Sequence, residues 1–179
     1  MDIVPSKEEI EIEKAISFLV THINKYCRNK KPLILHSLRV GLKARQLGLS
    51  HEAVVAGFLH DLVEDTCCKL QEIKKTFSPK AAKLVAALTS PKISNYKLKW
   101  RRLLAKIKKA GPEAMILKAI DCNDNLPWFK LLQEKTLLKQ GFWKLDFTLN
   151  SLKPGIGHTK VFRDFSKTAN QIKKWFSKK

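Results

Sequence analysis

Apolar residues recur along this chain at intervals of three and four, and Val, Ile and Thr do not alternate with polar residues over any convincing stretch. That pattern predicts helices and no strands, an all-α fold. Ser6-x-x-Glu9 matches a capping box, and Ile10, Ala15, Phe18, Leu19 and His22 follow at helical spacing, so a first helix is expected from about Lys7 to Lys25. LILHSLRVGLKARQLG makes a second, with Gly48 placed to end it. Ser50 caps HEAVVAGFLHDLVED, a third helix expected to run on to Asp65-Thr66, and KLQEIKKTF fits a short fourth. Ser78-Pro79 puts a cap and a first-turn proline before AAKLVAALTS. After a loop from Pro91 to Asn95, YKLKWRRLLAKIKKA is helical up to Gly111-Pro112, and PEAMILKAIDCNDNL forms another helix ended by Pro127.

The pattern is harder to read past Pro127. WFKLLQEKTLLKQ reads as a helix stopped by Gly141, FWKLDFTLNSL fits helix or strand, and KPGIGHT reads as a loop. The last twenty residues place Val161, Phe162, Phe165, Ala169, Ile172, Trp175 and Phe176 near a 3.6-residue period, opposite a lysine-rich face. A basic amphipathic helix is expected there, docking its apolar side on the core or else meeting a membrane surface or nucleic acid. Trp128, Phe142, Trp143 and Trp175 suit core filling or stacking on a purine. The expected division is a core over residues 1–127 and a basic, aromatic-rich segment over 128–179 that completes or extends it.

Composition adds bounds. A length of 179 residues with 44% hydrophobic content suits one folded domain. No run of about 18 uncharged apolar residues exists, and MDIVPSKEEIEIEK lacks the order of a secretory signal, so a cytoplasmic protein without a transmembrane segment is expected. Cys27, Cys67, Cys68 and Cys122 show no CxxC spacing and read as reduced thiols. The net charge is +19, and residues 128–179 hold 12 basic and 3 acidic side chains. Such a field attracts polyanions, phosphorylated nucleotides and nucleic acid among them, without choosing between them.

Chemistry concentrates in Phe58-Leu59-His60-Asp61-Leu62-Val63-Glu64-Asp65-Thr66, where one histidine and three carboxylates interrupt an apolar run. On a continuous helix His60 and Glu64 share one face, and Asp61 and Asp65 the next. Burying unpaired carboxylates is costly, which points to a metal ion or a dense hydrogen-bond network. His36 in LILH and Asp121 in MILKAIDCN are further polar groups at core positions. Mixed imidazole and carboxylate donors suit manganese, iron or zinc better than calcium or magnesium alone.

His36, then His60-Asp61, then Asp121 reproduce the H…HD…D pattern, and the chain thereby resembles the HD-domain metal-dependent phosphohydrolases, which are helical bundles. FLHDLVEDT is similar to the LLHDVVEDT segment of the RelA/SpoT hydrolase domains and their small stand-alone Mesh1-like relatives, and ILKAIDCNDNL to ALIKLADRLHNL. The similarity covers about residues 10 to 127. It implies that His36, His60, Asp61 and Asp121 ligate Mn²⁺ or another divalent transition metal. Glu64 and Asp65 become the acid/base pair for the attacking water, and Arg28, Asn125 and Lys118 the substrate contacts. Lys97, Lys99 and Arg101 or Arg102 are further candidate phosphate partners or simple surface. The implied reaction is hydrolysis of guanosine 3′,5′-bis(diphosphate), ppGpp or pppGpp, with loss of the 3′-pyrophosphate.

Departures fall around the nucleotide rather than the metal. The glycine expected between Arg28 and Pro32 is absent, and Cys122 and Asp124 stand where arginine and histidine are usual. Two other readings therefore stay open: the same centre acting on another nucleotide or phosphoester, and a basic nucleic-acid-binding helical module with a vestigial metal site. A spare acid pair beside the ligands favours hydrolysis, because a purely structural site needs ligands only. No synthetase or regulatory domain is expected to follow within 179 residues.

Overall fold

A computed structural model describes residues 4–26, 32–131 and 134–178, and these contain helices and no strand. They divide into two compact units, Met1–Thr89 and Ser90–Lys179. The expected boundary at Pro127 therefore lies inside the second unit. No helix among the described residues is long and apolar enough to cross a membrane.

The first unit is built around α3 (His51–Leu59), in which all seven residues from Ala53 to Leu59 are buried. A helix that is apolar all round must be enclosed, and α1 (Lys7–Tyr26), α2 (Leu33–Gln46) and α6 (Pro79–Leu88) all pack against it. The start signals act as read. Ser6 and Glu9 exchange hydrogen bonds of 2.9 and 3.2 Å at the head of α1, Ser50 Oγ accepts from the Ala53 amide, and Ser78 Oγ accepts from the Ala81 amide at 3.0 Å. Two single-face elements, α4 (Leu62–Asp65) and α5 (Leu70–Thr76), complete the unit. The His51–Glu11 side-chain contact and the Lys80–Glu52 ion pair tie α3 to α1 and α6.

The expected single helix through His60 and Asp65 is corrected. Helix α3 stops at Leu59, and α4 restarts at Leu62. His60 and Asp61 form the joint, where the Gly57 carbonyl, which an uninterrupted helix would give to the Asp61 amide, accepts from His60 Nδ1 at 2.9 Å. Thr66 closes the far end, its hydroxyl donating to the Leu62 carbonyl at 2.6 Å and accepting from the Cys68 amide at 3.0 Å.

In the second unit α8 (Pro112–Asn125) is central, packed by α7 (Tyr96–Ala110), α9 (Lys135–Ile156), α10 (Lys160–Ser177) and a 3-10 helix, Leu126–Leu131. Gly111, at φ 101°, ends α7 and begins α8 in a conformation closed to other residues without strain. Beyond Pro127 the sequence expectations need correction. Gly141 does not stop a helix; α9 runs through it and on to Ile156, absorbing FWKLDFTLNSL and the start of KPGIGHT. Gly141 is there for closeness: a Cβ would sit 2.7 Å from Phe129 Cε1. Pro154 lies in the last turn of α9, where it has no amide to give to the Asn150 carbonyl. Helix α10 docks as its periodicity predicts, burying Phe162, Phe165, Ala169 and Ile172. The tail aromatics meet one another, with Phe142 edge-on to Phe176 at 5.4 Å and Trp143 stacked on Phe147 at 5.2 Å.

Candidate metal centre

Three donor groups converge in the first unit. His36 sits one turn into α2, and His60 and Asp61 sit at the joint after α3. The close approach of α2 to α3 depends on Gly41, because a Cβ there would lie 2.4 Å from Phe58 Cδ1, and Phe58 is fully buried. Gly41→Ala gains about 1 kcal/mol of helix propensity but overpacks the seam at a cost of about 1–3 kcal/mol or more. A net loss of stability is expected, seen as a lower urea midpoint; an unchanged midpoint would mean that Phe58 yields freely.

His36 Nε2 lies 3.2 Å from His60 Nε2 and 3.6 Å from Asp61 Oδ2, and His60 Nε2 lies 3.2 Å from Asp61 Oδ1. Both imidazoles are buried, whereas Asp61 is half-buried. A carbonyl oxygen can only accept, so the 2.9 Å contact of His60 Nδ1 with the Gly57 carbonyl places the proton on Nδ1 and leaves a lone pair on Nε2. Donors about 2.1 Å from one ion and at right angles to each other lie about 3.0 Å apart. The two 3.2 Å separations from His60 Nε2 lie close to that spacing, and the imidazole and carboxylate donors fit a divalent ion. Cys68 is a poor additional ligand, since burial, reinforced by Glu72, pushes its thiol up to about 12.

The other two carboxylates of the segment behave differently. Glu64 is exposed and Asp65 half-buried on the single turn α4, and both backbone amides bond the Asp61 carbonyl, at 3.1 and 2.8 Å. The short turn thus fixes the pair directly after the donor residues while leaving it open to solvent.

The second unit holds Asp121 near the end of α8, buried and hydrogen-bonded to two side chains of that helix. Lys118 Nζ donates to its Oδ2 at 2.7 Å and Asn125 Nδ2 to its Oδ1 at 2.6 Å. Spacings of three and four residues put all three on one face, as the sequence suggested for Asn125. Lys118 is itself buried, its ammonium 4.7 Å from the Trp100 ring. Here the structure adds residues that the motifs did not mark. Trp100, Lys144 and Thr148 line a cavity of about 130 Å³ beside Asp121 and Asn125. Trp100 Nε1 donates to Thr148 Oγ1 at 2.9 Å, and Lys144 Nζ stands 5.4 Å from the same ring. The available signal was Trp100 on the apolar stripe of a helix otherwise rich in cations. Arg28 lies outside the described residues.

A guanosine-3′,5′-bis(diphosphate) 3′-pyrophosphohydrolase of Aquifex aeolicus is 34% identical over 132 residues, covering 70% of this chain and 18% of that protein. This chain thus spans less than a fifth of the relative's length. A solved structure of a metazoan ortholog of SpoT, described as hydrolysing ppGpp and acting in starvation responses, has a TM-score of 0.77 at 18% identity, over 95% of this chain and 98% of that one. The Listeria monocytogenes protein lmo0812 has a TM-score of 0.69 at 26% identity, over 76% and 94% of the two chains. The HD-domain model matches residues 15–110, a span that includes His36, His60 and Asp61 and more than half of the chain, and this protein belongs to the HD-domain family.

Proposed function

We propose that this protein is a metal-dependent pyrophosphohydrolase that removes the 3′-pyrophosphate of guanosine 3′,5′-bis(diphosphate), with ppGpp and pppGpp as substrates and Mn²⁺ as the working ion, in the cytoplasm. The observation that carries the reading is the pairing of three converged donors, His36, His60 and Asp61, with an acid pair, Glu64-Asp65, on the turn that follows. The name of the Aquifex relative and the description of the metazoan one support the substrate class.

His36, His60 and Asp61 would hold the ion, with Asp121 as fourth ligand by its place in the H…HD…D order. When bound, such an ion supplies Lewis acidity that lowers the pKa of water and offsets charge gathering on the phosphoryl oxygens. Water attacks the phosphorus attached to the 3′ oxygen, that P–O bond breaks, and the nucleoside keeps its 3′ oxygen as a hydroxyl. Glu64 or Asp65 takes the proton of the attacking water, and the partner carboxyl orients it. Lys118 and Asn125 hold the Asp121 carboxylate by hydrogen bonds and would contact the phosphates and sugar, with Arg28 on the phosphates or base. On this reading residues 1–127 form the catalytic core, and residues 128–179 complete it.

Incubation with Mn²⁺ and a panel of nucleotides tests the substrate. Turnover of ppGpp above GTP, GDP and a generic phosphomonoester is expected. Turnover of another panel member alone would move the assignment to a different phosphohydrolase.

A further inference from the structure

The positive charge of the chain is unevenly held. Residues 90–179 carry 21 basic and 6 acidic side chains, against 14 and 10 in residues 1–89. Between Glu72 and Glu113 there is no carboxylate at all, and α7 lies inside that span. Lys97, Arg101, Arg102, Lys106, Lys108 and Lys109 are all exposed on α7, opposite the buried Leu103, Leu104 and Ile107.

This arrangement is unfavourable for the helix itself. Lys97–Arg101 and Arg102–Lys106 are like charges four residues apart, each costing a few tenths of a kcal/mol. Lys97 also crowds the positive end of the helix dipole, with no acidic residue in the first turn. Solubility alone is served equally well by mixed charges. Arg101, Arg102, Lys108 and Lys109 form no ion pair among the described residues, whereas cations of α10 do, as in Lys160–Asp164 and Lys173–Asp146.

We propose that the outer face of α7 is a docking surface for single-stranded nucleic acid. From Lys97 to Lys109 the row spans about 18 Å at 1.5 Å per residue, long enough to follow a short stretch of a single strand's backbone. Half-buried Tyr96 and Trp143 stand at its start, edge to face at 5.7 Å, with Lys97 Nζ 6.0 and 5.7 Å from their rings. Cations that track a backbone, with aromatic faces on which bases can stack, are the chemistry of sequence-tolerant single-strand binding. A membrane is the poorer partner: the apolar stripe of α7 is spent on the core, and Leu98, 45% exposed, is the large apolar residue left outside on this helix.

The test is fluorescence anisotropy of the whole chain with 20-residue oligonucleotides, rU20 and dT20, across a salt series. Arg101→Gln, Arg102→Gln, Lys108→Gln and Lys109→Gln are combined in one variant. Arg163→Gln, Lys167→Gln and Lys174→Gln on exposed positions of α10, with Lys178→Gln just past its end, form a control of equal charge. The α7 variant should bind at least tenfold more weakly, its slope of log affinity against log salt shallower by about 0.7 per lost phosphate contact. The α10 control should stay within about threefold of wild type. Absence of saturable binding to either oligonucleotide at 100 mM salt, equal losses in the two variants, or binding to anionic phosphatidylserine vesicles in place of oligonucleotides would each overturn the proposal.

Discussion

On the proposed reading, replacing His60 with alanine abolishes metal binding and hydrolysis of ppGpp together. His60 Nε2 lies 3.2 Å from both His36 Nε2 and Asp61 Oδ1, and its Nδ1 contact with the Gly57 carbonyl is what aims the Nε2 lone pair toward them. Metal chemistry of this kind supplies several kcal/mol of transition-state stabilisation. At about 1.4 kcal/mol per decade, turnover should fall by about a thousandfold or more. Metal content after dialysis, read by elemental analysis, should drop to background. His60 is buried and also anchors the joint between α3 and α4, so far-UV circular dichroism in the presence of chelator should accompany the assay. A folded variant that keeps stoichiometric metal would remove His60 from the ligand set.

Glu64→Gln should separate the chemistry from the binding. Glu64 is exposed on α4 and lies outside the converged donors, and glutamine keeps its shape while losing the capacity to accept a proton. General-base catalysis is worth about 10²–10⁴-fold, and a fall of that size in kcat is expected with metal content and fold unchanged. KM should move little, because the group acts in the transition state more than in the ground state. Loss of metal in this variant would make Glu64 a ligand, and undiminished kcat would take it out of the reaction.

The contrast between these variants rests on features that differ in how visible they are in the sequence. Helical periodicity and the caps at Ser6, Ser50 and Ser78 are local, and local signals carried over directly into α1, α3 and α6. The donors were visible for a different reason: His36 and the His60-Asp61 pair are polar groups at core positions, and only a compensating partner makes such positions tolerable. The break between Leu59 and Leu62 was not visible, because it arises from a side chain competing for a backbone acceptor within a run whose pattern is helical throughout. Gly141 misled for a related reason. Its missing side chain serves contact with Phe129, a residue twelve positions away, rather than a turn of its own. Trp100, Lys144 and Thr148 come together only through the packing of α7, α8 and α9, so no short motif could mark them.

The most direct test of the catalytic account is the product formed from ppGpp. Purified protein with Mn²⁺ is expected to release pyrophosphate and GDP in equal amounts, with no early orthophosphate, and chelation followed by Mn²⁺ addition should stop and restore the release. Stepwise appearance of orthophosphate, or release indifferent to chelation, would contradict a metal-dependent attack at the 3′-linked phosphorus.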